Sequence, residues 1–408
     1  MTADGLPYAA GKTLSSTADH VRKLNRAWRH IQRRHADGLP LHNASGLSRG
    51  LPLPDDVPAW VYDDEWAGAL YSGEVRERGL EHLGGDSDRD DIVVTNRLTA
   101  ALFAALQVTV RLGSTVIGVS RSYSHPAVAR GVRDAGGTLV DTVGVEEFES
   151  RLAAHDDVSV VVLTRLAVTY LALDESDIRR IVDAAHRRGA LVVVDDAGGA
   201  RVGPAMLGQP RTLELGADLG ATGLDKYGVD GPRVGLLGGR ADLIDKARAR
   251  AFELGSECRP VLYPAVARTL RDYHPERVRA LVASTRTVGD ALAARFGADA
   301  VEATPFIAKL SGEVIARILA ERADRPVDLA PVEATAALAM CLLRDRGILT
   351  VHFAGLPPGT SALLVKFMSS TLIAEIGGAD AFAAAVDDAL TAAAREATPE
   401  ALPVLLFG

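Results

Sequence analysis

Residues 158–200 decide the fold class and read VSVVVLTRLAVTYLALDESDIRRIVDAAHRRGALVVVDDAGGA. This stretch begins with a valine-rich run, Val158–Leu163, continues through a helical pattern at Ser176–Arg188, and ends in a second valine-rich run, Ala190–Val194. Short apolar runs on either side of an amphipathic helix are typical of a β-α-β unit with parallel strands buried on both faces. The stretch therefore predicts an α/β fold with a mostly parallel central sheet.

The same alternation of strands and helices extends in both directions from this stretch. Strand-like runs are found at Ile92–Val94, Thr115–Val119, Thr138–Val143, Leu219–Ala221 and Val234–Leu237. The helical patterns between the first of these runs lie near Leu98–Leu112, Pro126–Ala135 and Val145–Ala154. In a sheet of this kind functional residues gather at the carboxyl ends of the strands, so those ends are the places to search for chemistry.

The two flanks of the sheet region have a different character. Residues 1–60 hold one amphipathic helix, capped by Ser15 or Ser16, and a proline-rich stretch. After residue 260 the pattern predicts a long helical stretch at Val266–Phe296, strands at Leu349–Phe353 and Ala362–Phe367, and an alanine-rich helix at Ala381–Arg395. We therefore predict an N-terminal helix and arm (1–60), a large α/β domain (61–260) and a small C-terminal α+β domain (261–408).

Composition and charge exclude several classes of protein. The 408 residues carry 45 Lys and Arg against 53 Asp and Glu, a formal net charge of −8, which argues against nucleic-acid binding. Cys258 and Cys341 stand 83 residues apart and predict no disulfide framework, so a reducing cytoplasm is expected. Neither a secretory leader, nor a membrane-spanning run, nor a metal site is expected from the sequence.

Polar residues follow four of the predicted strands. Thr95, Asn96 and Arg97 stand between a strand and the start of a helix, where free N–H groups attract an anion. His125 follows the next strand, with Tyr123 as an alternative aromatic residue, and Asp195-Asp196 follow a third strand. Thr222 and Lys226 lie in a glycine-rich loop after a fourth.

Pyridoxal phosphate requires each of these parts. Its phosphate needs an anion site, its ring needs a flat covering group, its pyridinium nitrogen needs a carboxylate, and its aldehyde needs a lysine for a Schiff base. The ordered set of strand-end residues therefore predicts a pyridoxal phosphate site.

The stretch Gly216–Arg259 carries a resemblance to a known family: GADLGATGLDKYGVDGPRVGLLGGRADLIDKARARAFELGSECR. It resembles the fold-type-I, aspartate aminotransferase-like enzymes that use pyridoxal phosphate, and most of all the selenocysteine synthase (L-seryl-tRNA selenium transferase) branch. In that branch a G-A-D-L strand leads to an S/T-G-x-K loop and a G-P turn. Here Thr222, Gly223 and Lys226 match the loop, which Leu224 and Asp225 make one residue longer.

The resemblance implies roles for individual residues. Lys226 matches the Schiff-base lysine, and the Asp-x-Ala pattern within VVVDDAGGA selects Asp195, with Ala197, over Asp196 as the partner of the pyridinium nitrogen. His125 matches the position that covers the ring and is also expected to act in catalysis. Phosphate contacts are implied for Thr95, Asn96, Arg97 and Thr222.

The residue that binds the substrate carboxylate is left open between several cations. Many fold-type-I enzymes place an arginine on a late strand of the small domain, where this sequence has Lys366, and this difference disfavours a simple transaminase. The candidates are Lys366, Arg165 at the end of a predicted strand, Arg259 and Arg233.

The resemblance implies an enzyme that acts on a small-molecule α-amino acid through an external aldimine and a quinonoid, at a site shared by a homodimer or larger homo-oligomer. The favoured reaction is that of the O₂-using monooxygenase-decarboxylases of capuramycin-type nucleoside-antibiotic biosynthesis, which form a carboxamide. A lyase or β-replacement enzyme of the ammonia lyase or selenium/sulfur transferase type is the alternative, followed by a racemase, aldolase or transaminase. Action on a charged tRNA is disfavoured by the acidic charge, and a catalytically inactive protein of the same fold is a further alternative.

Overall fold

The computed structural model describes residues 10–353 and 359–408. The chain divides into two compact units. The large unit is Ser48–Arg279, and the split unit combines Met1–Leu47 with Ala280–Gly408. These limits differ from the boundaries predicted at residues 60 and 260.

The helices and strands are numbered in chain order. The strands are β1 (His42–Asn43), β2 (Asp90–Thr95), β3 (Thr115–Ser120), β4 (Thr138–Val143), β5 (Val158–Thr164), β6 (Leu191–Asp195), β7 (Leu219–Gly223), β8 (Gly235–Arg240), β9 (Glu302–Ala303), β10 (Ile307–Ser311), β11 (Ile348–Leu349) and β12 (Ala362–Lys366). The helices are α1 (Thr17–Ala36), α2 (Asp64–Leu83), α3 (Leu98–Thr109), α4 (Pro126–Asp134), α5 (Gly144–Ala154), α6 (Glu175–Arg187), α7 (Gly199–Val202), α8 (Ala241–Glu253), α9 (Tyr263–Arg271), α10 (Pro275–Phe296), α11 (Gly312–Ala323), α12 (Pro331–Arg346), α13 (Ser370–Ile376), α14 (Ala379–Glu396) and α15 (Ala401–Phe407).

The large unit is built on one sheet. Within residues 48–279, all of which the structure describes, seven strands pair in the order β2-β8-β7-β6-β5-β3-β4. Neighbouring strands are parallel except at β8, which runs antiparallel to both β2 and β7. The expected α/β fold with a mostly parallel sheet is confirmed.

The sheet is covered on both faces because its strands are apolar on both sides. In β5, Val160 and Val162 pack into a cluster with residues of α3, α4 and α8, whereas Val161 and Leu163 pack into a second cluster with residues of α5 and α6. All four side chains are fully buried. Successive side chains of a strand point to opposite faces, so this unbroken apolar run is what a doubly covered strand requires.

An ion pair joins the ends of two neighbouring strands. Arg165 follows β5 directly and Asp196 follows β6 directly. The guanidinium donates from Nε to Asp196 Oδ1 over 3.1 Å and from Nη2 to Oδ2, and neither side chain is exposed. Thr212 donates to the same carboxylate, and Arg165 Nη1 donates to the carbonyl of Pro210. The carboxyl ends of β5 and β6 are thereby held together by a buried ion pair with further hydrogen bonds to Thr212 and Pro210.

The prediction of one long helix at Val266–Phe296 is wrong. The structure has two helices there, α9 and α10, and the second begins at Pro275. Proline has no backbone N–H and opposes helical geometry in the residue before it, so a helix commonly stops ahead of a proline and restarts with it. The predicted strand Leu349–Phe353 is likewise reduced to β11, followed by a short 3₁₀ turn at Val351–Phe353.

The split unit explains the difference in domain boundaries. Helix α1 packs against α12 and α15, and β1 pairs in parallel with β11. The carboxylate of Glu333, which is buried, accepts the N–H groups of Thr13 and Leu14. Residues 10–47 of the predicted N-terminal helix and arm therefore share a core with the C-terminal helices, whereas residues 48–60 belong to the large unit.

The rest of the split unit is a small α+β arrangement. Strands β9, β10 and β12 form an antiparallel sheet, and the apolar core lies mainly among α11, α12 and α14. Among the described residues of the whole chain, no helix combines the length and the apolar character needed to cross a bilayer.

Candidate active site

The carboxyl ends of the parallel strands in the large unit bring the predicted residues to one edge of the sheet. Strands β2, β3, β5, β6 and β7 run in the same direction, because β8 is antiparallel to both of its neighbours. Asp195 is the last residue of β6, and the segments that follow the other four strands contain Arg97, His125, Arg165 and Lys226. Parallel strand ends at one edge are the usual location of a ligand site in such folds.

Lys226 lies in the loop after β7 with its amine close to a carboxylate. The Nζ atom donates to Asp225 Oδ1 over 2.7 Å, and 18% of the lysine side chain is exposed. Burial lowers the pKa of Lys226 and is the largest effect on it, whereas Asp225 opposes that shift. A lysine amine with a lowered pKa is available as a nucleophile at lower pH than a free lysine.

Asp195, the last residue of β6, carries a buried carboxylate oxygen for which the described residues offer no hydrogen bond. Its Oδ1 has no partner, and 2% of the residue is exposed. Burial raises the pKa of Asp195 to about 7, the neighbouring charge of Asp196 adds to this, and the N–H of Ala197 and the charge of Lys226 oppose it. Buried carboxylates normally have all their hydrogen bonds, so the unpartnered oxygen indicates a missing donor.

The two adjacent aspartates have opposite surroundings. Asp196 is occupied by Arg165 and Thr212, as described above, whereas Asp195 keeps one oxygen without a donor. This difference supports the choice of Asp195 over Asp196 as the carboxylate for a cationic ring nitrogen.

The predicted anion site lies at the N-terminus of α3. Arg97 is its N-cap residue, has extended backbone and gives the helix no side-chain cap. The hydroxyl of Thr95 is buried and donates to the carbonyl of Arg97 over 3.0 Å, so it holds the turn between strand and helix. Asn96 and Arg97 are exposed. First-turn N–H groups without a side-chain acceptor are suited to a phosphate.

A close approach of β8 shapes the same turn. A Cβ atom on Gly235 would lie 2.6 Å from both the carbonyl oxygen of Arg97 and the hydroxyl of Thr95. Only glycine leaves room there for the start of α3.

His125 is the N-cap residue of α4. Its Nδ1 accepts the N–H of Ala127 over 3.1 Å, which places the ring proton of the neutral imidazole on Nε2. Burial lowers the pKa of His125 to about 4, and the positive charges of Arg130 and Lys226 add to the shift. His125 is therefore neutral at pH 7, and the charge of Lys226 acts on it. Tyr123, the alternative ring-covering residue, is half-buried.

Thr222 lies inside the structure rather than on an open surface. Its hydroxyl oxygen accepts Nη2 of Arg201 over 2.8 Å, and neither residue is exposed. The same nitrogen donates to the carbonyls of Gly223 and Ala197, each over 2.9 Å. Arg201 therefore connects the end of β7 to the turn after Asp195, and sequence reasoning did not find this role.

The candidates for the substrate carboxylate fare differently. The predicted role of Arg165 is not supported, because its guanidinium is committed to Asp196 in the interior. Arg259 forms an ion pair with Asp64 over 2.7 Å, with 75% of its side chain exposed. Lys366 belongs to the split unit, where it is buried next to Gly46 at the end of β12. Burial lowers the pKa of Arg233 to about 10, and the positive charges of Arg49 and Arg97 add to this shift.

Two tyrosines beside the lysine adopt an unusual backbone conformation. Tyr170 and Tyr227 have φ values of 65° and 50°, and their buried hydroxyls are 2.7 Å apart. Positive φ in a bulky residue is rare and costs energy, and it is concentrated at functional sites. A Cβ atom on Gly198 would lie 2.5 Å from the Tyr227 ring, so glycine is needed there. No sequence pattern indicated this pair.

The arrangement fits pyridoxal phosphate. The buried carboxylate of Asp195 lacks a donor, as a partner for a protonated ring nitrogen should, and Lys226 provides the amine. The uncapped N-terminus of α3 provides phosphate donors, and the neutral ring of His125 provides a flat face.

Comparison with known proteins supports this cofactor. No protein-family model matches the chain. A UPF0425 pyridoxal phosphate-dependent protein of Methanothermobacter thermautotrophicus is 32% identical over 359 residues, which cover 86% of this chain and 88% of that protein. A second protein of the same description, from Methanosphaera stadtmanae, is 26% identical, covering 84% of this chain and 87% of the relative.

Solved structures show the same fold at low sequence identity. Aspartate aminotransferase of Thermotoga maritima matches with a TM-score of 0.55 at 16% identity, over 90% of this chain and 97% of that one. A structure of the SepCysS–SepCysE N-terminal domain complex matches with a TM-score of 0.57 at 14% identity, over 86% of this chain and 95% of that one. The chain is thus an enzyme of the aminotransferase-like fold that depends on pyridoxal phosphate, and it belongs to the UPF0425 family of pyridoxal phosphate-dependent proteins.

Proposed function

We propose that Lys226 binds the aldehyde of pyridoxal phosphate and that the enzyme acts on a small-molecule α-amino acid. The observation that carries this assignment is the unpartnered, buried oxygen of Asp195 at the same sheet edge as Lys226. A ring N–H donated to that oxygen would remove the cost of leaving it without a hydrogen bond. When bound, the cofactor supplies an electron sink for the pair released by a broken bond at the substrate Cα.

Each protein group then has a defined task. Asp195 holds the proton at the ring nitrogen and is shielded from water by its burial. The N-terminus of α3, with Asn96 and Arg97, binds the phosphate, while Thr95 keeps that turn in shape. His125 covers the ring in its neutral form, and the amine of Lys226 accepts and returns a proton near the substrate Cα.

Thr222 acts indirectly in this proposal. Its oxygen is bound by Arg201, so we assign it to holding the lysine loop rather than to binding the phosphate. Arg233 is the favoured cation for the substrate carboxylate, because it is exposed and lies in the same unit as Lys226, where the positive charges of Arg49 and Arg97 act on it. Lys366 stays a second candidate.

For the reaction type we propose an O₂-using monooxygenase-decarboxylase that forms a carboxamide in specialised metabolism. The support is the resemblance of Gly216–Arg259 to the branch that contains such enzymes, together with Lys366 at the position of the usual late-strand arginine. A lyase or β-replacement enzyme is the second candidate, on the same resemblance. A cytoplasmic location is proposed because Cys258 and Cys341 are both free thiols.

We further propose that the enzyme is a homodimer. The large unit exposes Trp60 and Trp66, with 62% and 57% of their surface accessible, and Leu70 one turn after Trp66 on α2. Exposed tryptophans next to an apolar side chain are typical of interaction surfaces.

Replacing Lys226 by alanine is expected to abolish the visible absorbance of the protein loaded with pyridoxal phosphate, because no amine is left at the site to bind the aldehyde. Lys246→Ala removes an exposed lysine of α8 and should leave the spectrum unchanged. Absorbance spectra of the two variants after desalting measure this. A spectrum retained in the first variant would contradict the assignment.

Asp195→Asn should alter the pH dependence of stability of the cofactor-free protein. Because the pKa of Asp195 is raised to about 7, the folded chain binds a proton that the unfolded chain releases, so Asp195 makes stability fall as pH rises from about 4 to about 7. In this pH window the free energy of unfolding of the wild type should fall by about 1 kcal/mol per pH unit more than that of the variant. Urea unfolding measures both curves, with the exposed Asp183→Asn as control. If the free energy of unfolding depends on pH in the same way in the wild type and in Asp195→Asn, the carboxyl group of Asp195 does not have a raised pKa in the folded protein.

Oxygen dependence separates the two candidate reactions. An oxygen electrode and a product assay with a panel of amino acids, including glycine-like nucleoside amino acids, should show O₂ consumption together with CO₂ and a carboxamide. Turnover that is equal under strict anaerobiosis would overturn the oxygenase and favour the lyase or β-replacement reaction.

The oligomeric state is measured by light scattering. We expect twice the chain mass of 43.0 kDa for the wild type and a weakened dimer for Trp66→Glu, which places a charge on the exposed apolar surface. A monomer at micromolar concentration would contradict the proposal.

A further inference from the structure

The lysine amine is the end of a chain of three charged groups. Lys226 Nζ donates to Asp225 Oδ1 over 2.7 Å, and Arg49 Nε donates to Asp225 Oδ2 over 3.0 Å. The exposed fractions of the side chains are 18% for Lys226, 2% for Asp225 and 27% for Arg49. One buried carboxylate is therefore shared between two cations.

A second contact fixes this arrangement. The backbone N–H of Ser48 donates to the carbonyl oxygen of Asp225 over 3.1 Å. Ser48 and Arg49 thus hold both the main chain and the side chain of Asp225, although they stand more than 170 residues earlier in the sequence. The position of Arg49 relative to the lysine loop is set by two hydrogen bonds rather than by one flexible side chain.

We propose that Asp225 is the counter-ion that sets the charge state of the Lys226 amine, and that Arg49 is a positioning residue that acts on Lys226 through Asp225. The proposal rests on the assignment of Lys226 as the reactive lysine. It adds two residues that no sequence motif assigned to the site. Asp225 is one of two residues between Gly223 and Lys226, where the pattern of the resembled branch has one.

The electrostatics give the two residues opposite effects on Lys226. Asp225 raises the pKa of Lys226 against the larger lowering caused by burial, whereas Arg49 lowers it. Burial pushes the pKa of Asp225 upward, but Lys226 and Arg49 outweigh that effect and keep it below its usual value. The other charged or titratable groups that interact with Lys226 or Asp225 include Arg201, Tyr227, His125, Asp195 and Arg233.

This sharing has a chemical consequence. A carboxylate held only by Lys226 would make the amine a strong base but would keep it protonated and poorly nucleophilic. Arg49 forms an ion pair with the same carboxylate and so weakens its attraction for the protonated amine. The amine can then lose its proton more easily and can still accept one during a proton transfer. Asp225 and Arg49 together therefore give the Lys226 amine an intermediate basicity, at which it can both lose its proton and regain it.

The test measures the amine of Lys226 directly in the cofactor-free protein. Pulses of acetic anhydride over a range of pH, followed by peptide mass spectrometry, give the pH at which each of the six lysines becomes reactive. In Asp225→Asn the midpoint for Lys226 should fall by about 1–3 pH units, because the stabilising anion is lost. In Arg49→Met the midpoint should rise, because a competing cation is removed.

Two further variants and one internal control test whether the shifts arise from the charge of Asp225 and from its contact with Arg49. Asp225→Glu keeps the charge and should keep the midpoint near that of the wild type. In the double variant Asp225→Asn/Arg49→Met, the effect of Arg49 should shrink, because its main route to the lysine is gone. The exposed Lys246 should show the same midpoint in every variant and reports any general change in the protein.

The outcomes decide between the proposal and its alternatives. The proposal is supported if the midpoint for Lys226 falls in Asp225→Asn and rises in Arg49→Met. If Asp225→Asn fails to fold, the rise in Arg49→Met still tests the proposal. Midpoints that do not move, or that move in the same direction, overturn it. Because no cofactor is present, a failure here is distinct from a failure of the proposed function, which the Lys226→Ala spectrum tests on its own.

Discussion

The buried ion pair between Arg165 and Asp196 is the interaction on which the rest of the site depends. It joins the ends of β5 and β6, and it binds one of two adjacent carboxylates in the interior. Breaking such a pair by removing one partner typically costs about 3–5 kcal/mol. Asp196 is bound by Arg165 and Thr212, so of these two adjacent aspartates it is Asp195 that keeps an oxygen without a hydrogen bond.

At the same sheet edge, charged side chains are stabilised by hydrogen bonds and ion pairs with one another and with the backbone, rather than by exposure to water. Arg201 is buried and donates to neutral oxygens of Thr222, Gly223 and Ala197, so it ties the lysine loop to the turn after Asp195. Asp225 divides its charge between Lys226 and Arg49. A site built in this way holds its groups in place before a ligand arrives, which lowers the cost of organising them during the reaction.

Much of the fold and of the site was predictable from the sequence because local patterns determine them. Alternating valine-rich runs and amphipathic helices gave the sheet within one or two residues at most strands, and the strand ends located Asp195 and Lys226. The apolar periodicity of 266–296 continues across Pro275 and so does not show the helix break, and the packing of α1 with α12 is a long-range contact that no local pattern indicates. Arg49, Arg201 and the Tyr170–Tyr227 pair could not be found, since only the folded chain brings them to the lysine.

The assignment of Lys226 as the lysine that binds pyridoxal phosphate is tested most directly by trapping the cofactor on the chain and locating it. The protein loaded with pyridoxal phosphate is reduced with borohydride, digested and analysed by mass spectrometry. We expect a stable phosphopyridoxyl group on the peptide that contains Lys226, and on no other of the six lysines at comparable yield. Modification confined to another lysine, or no modification in a protein that retains its fold, would contradict it.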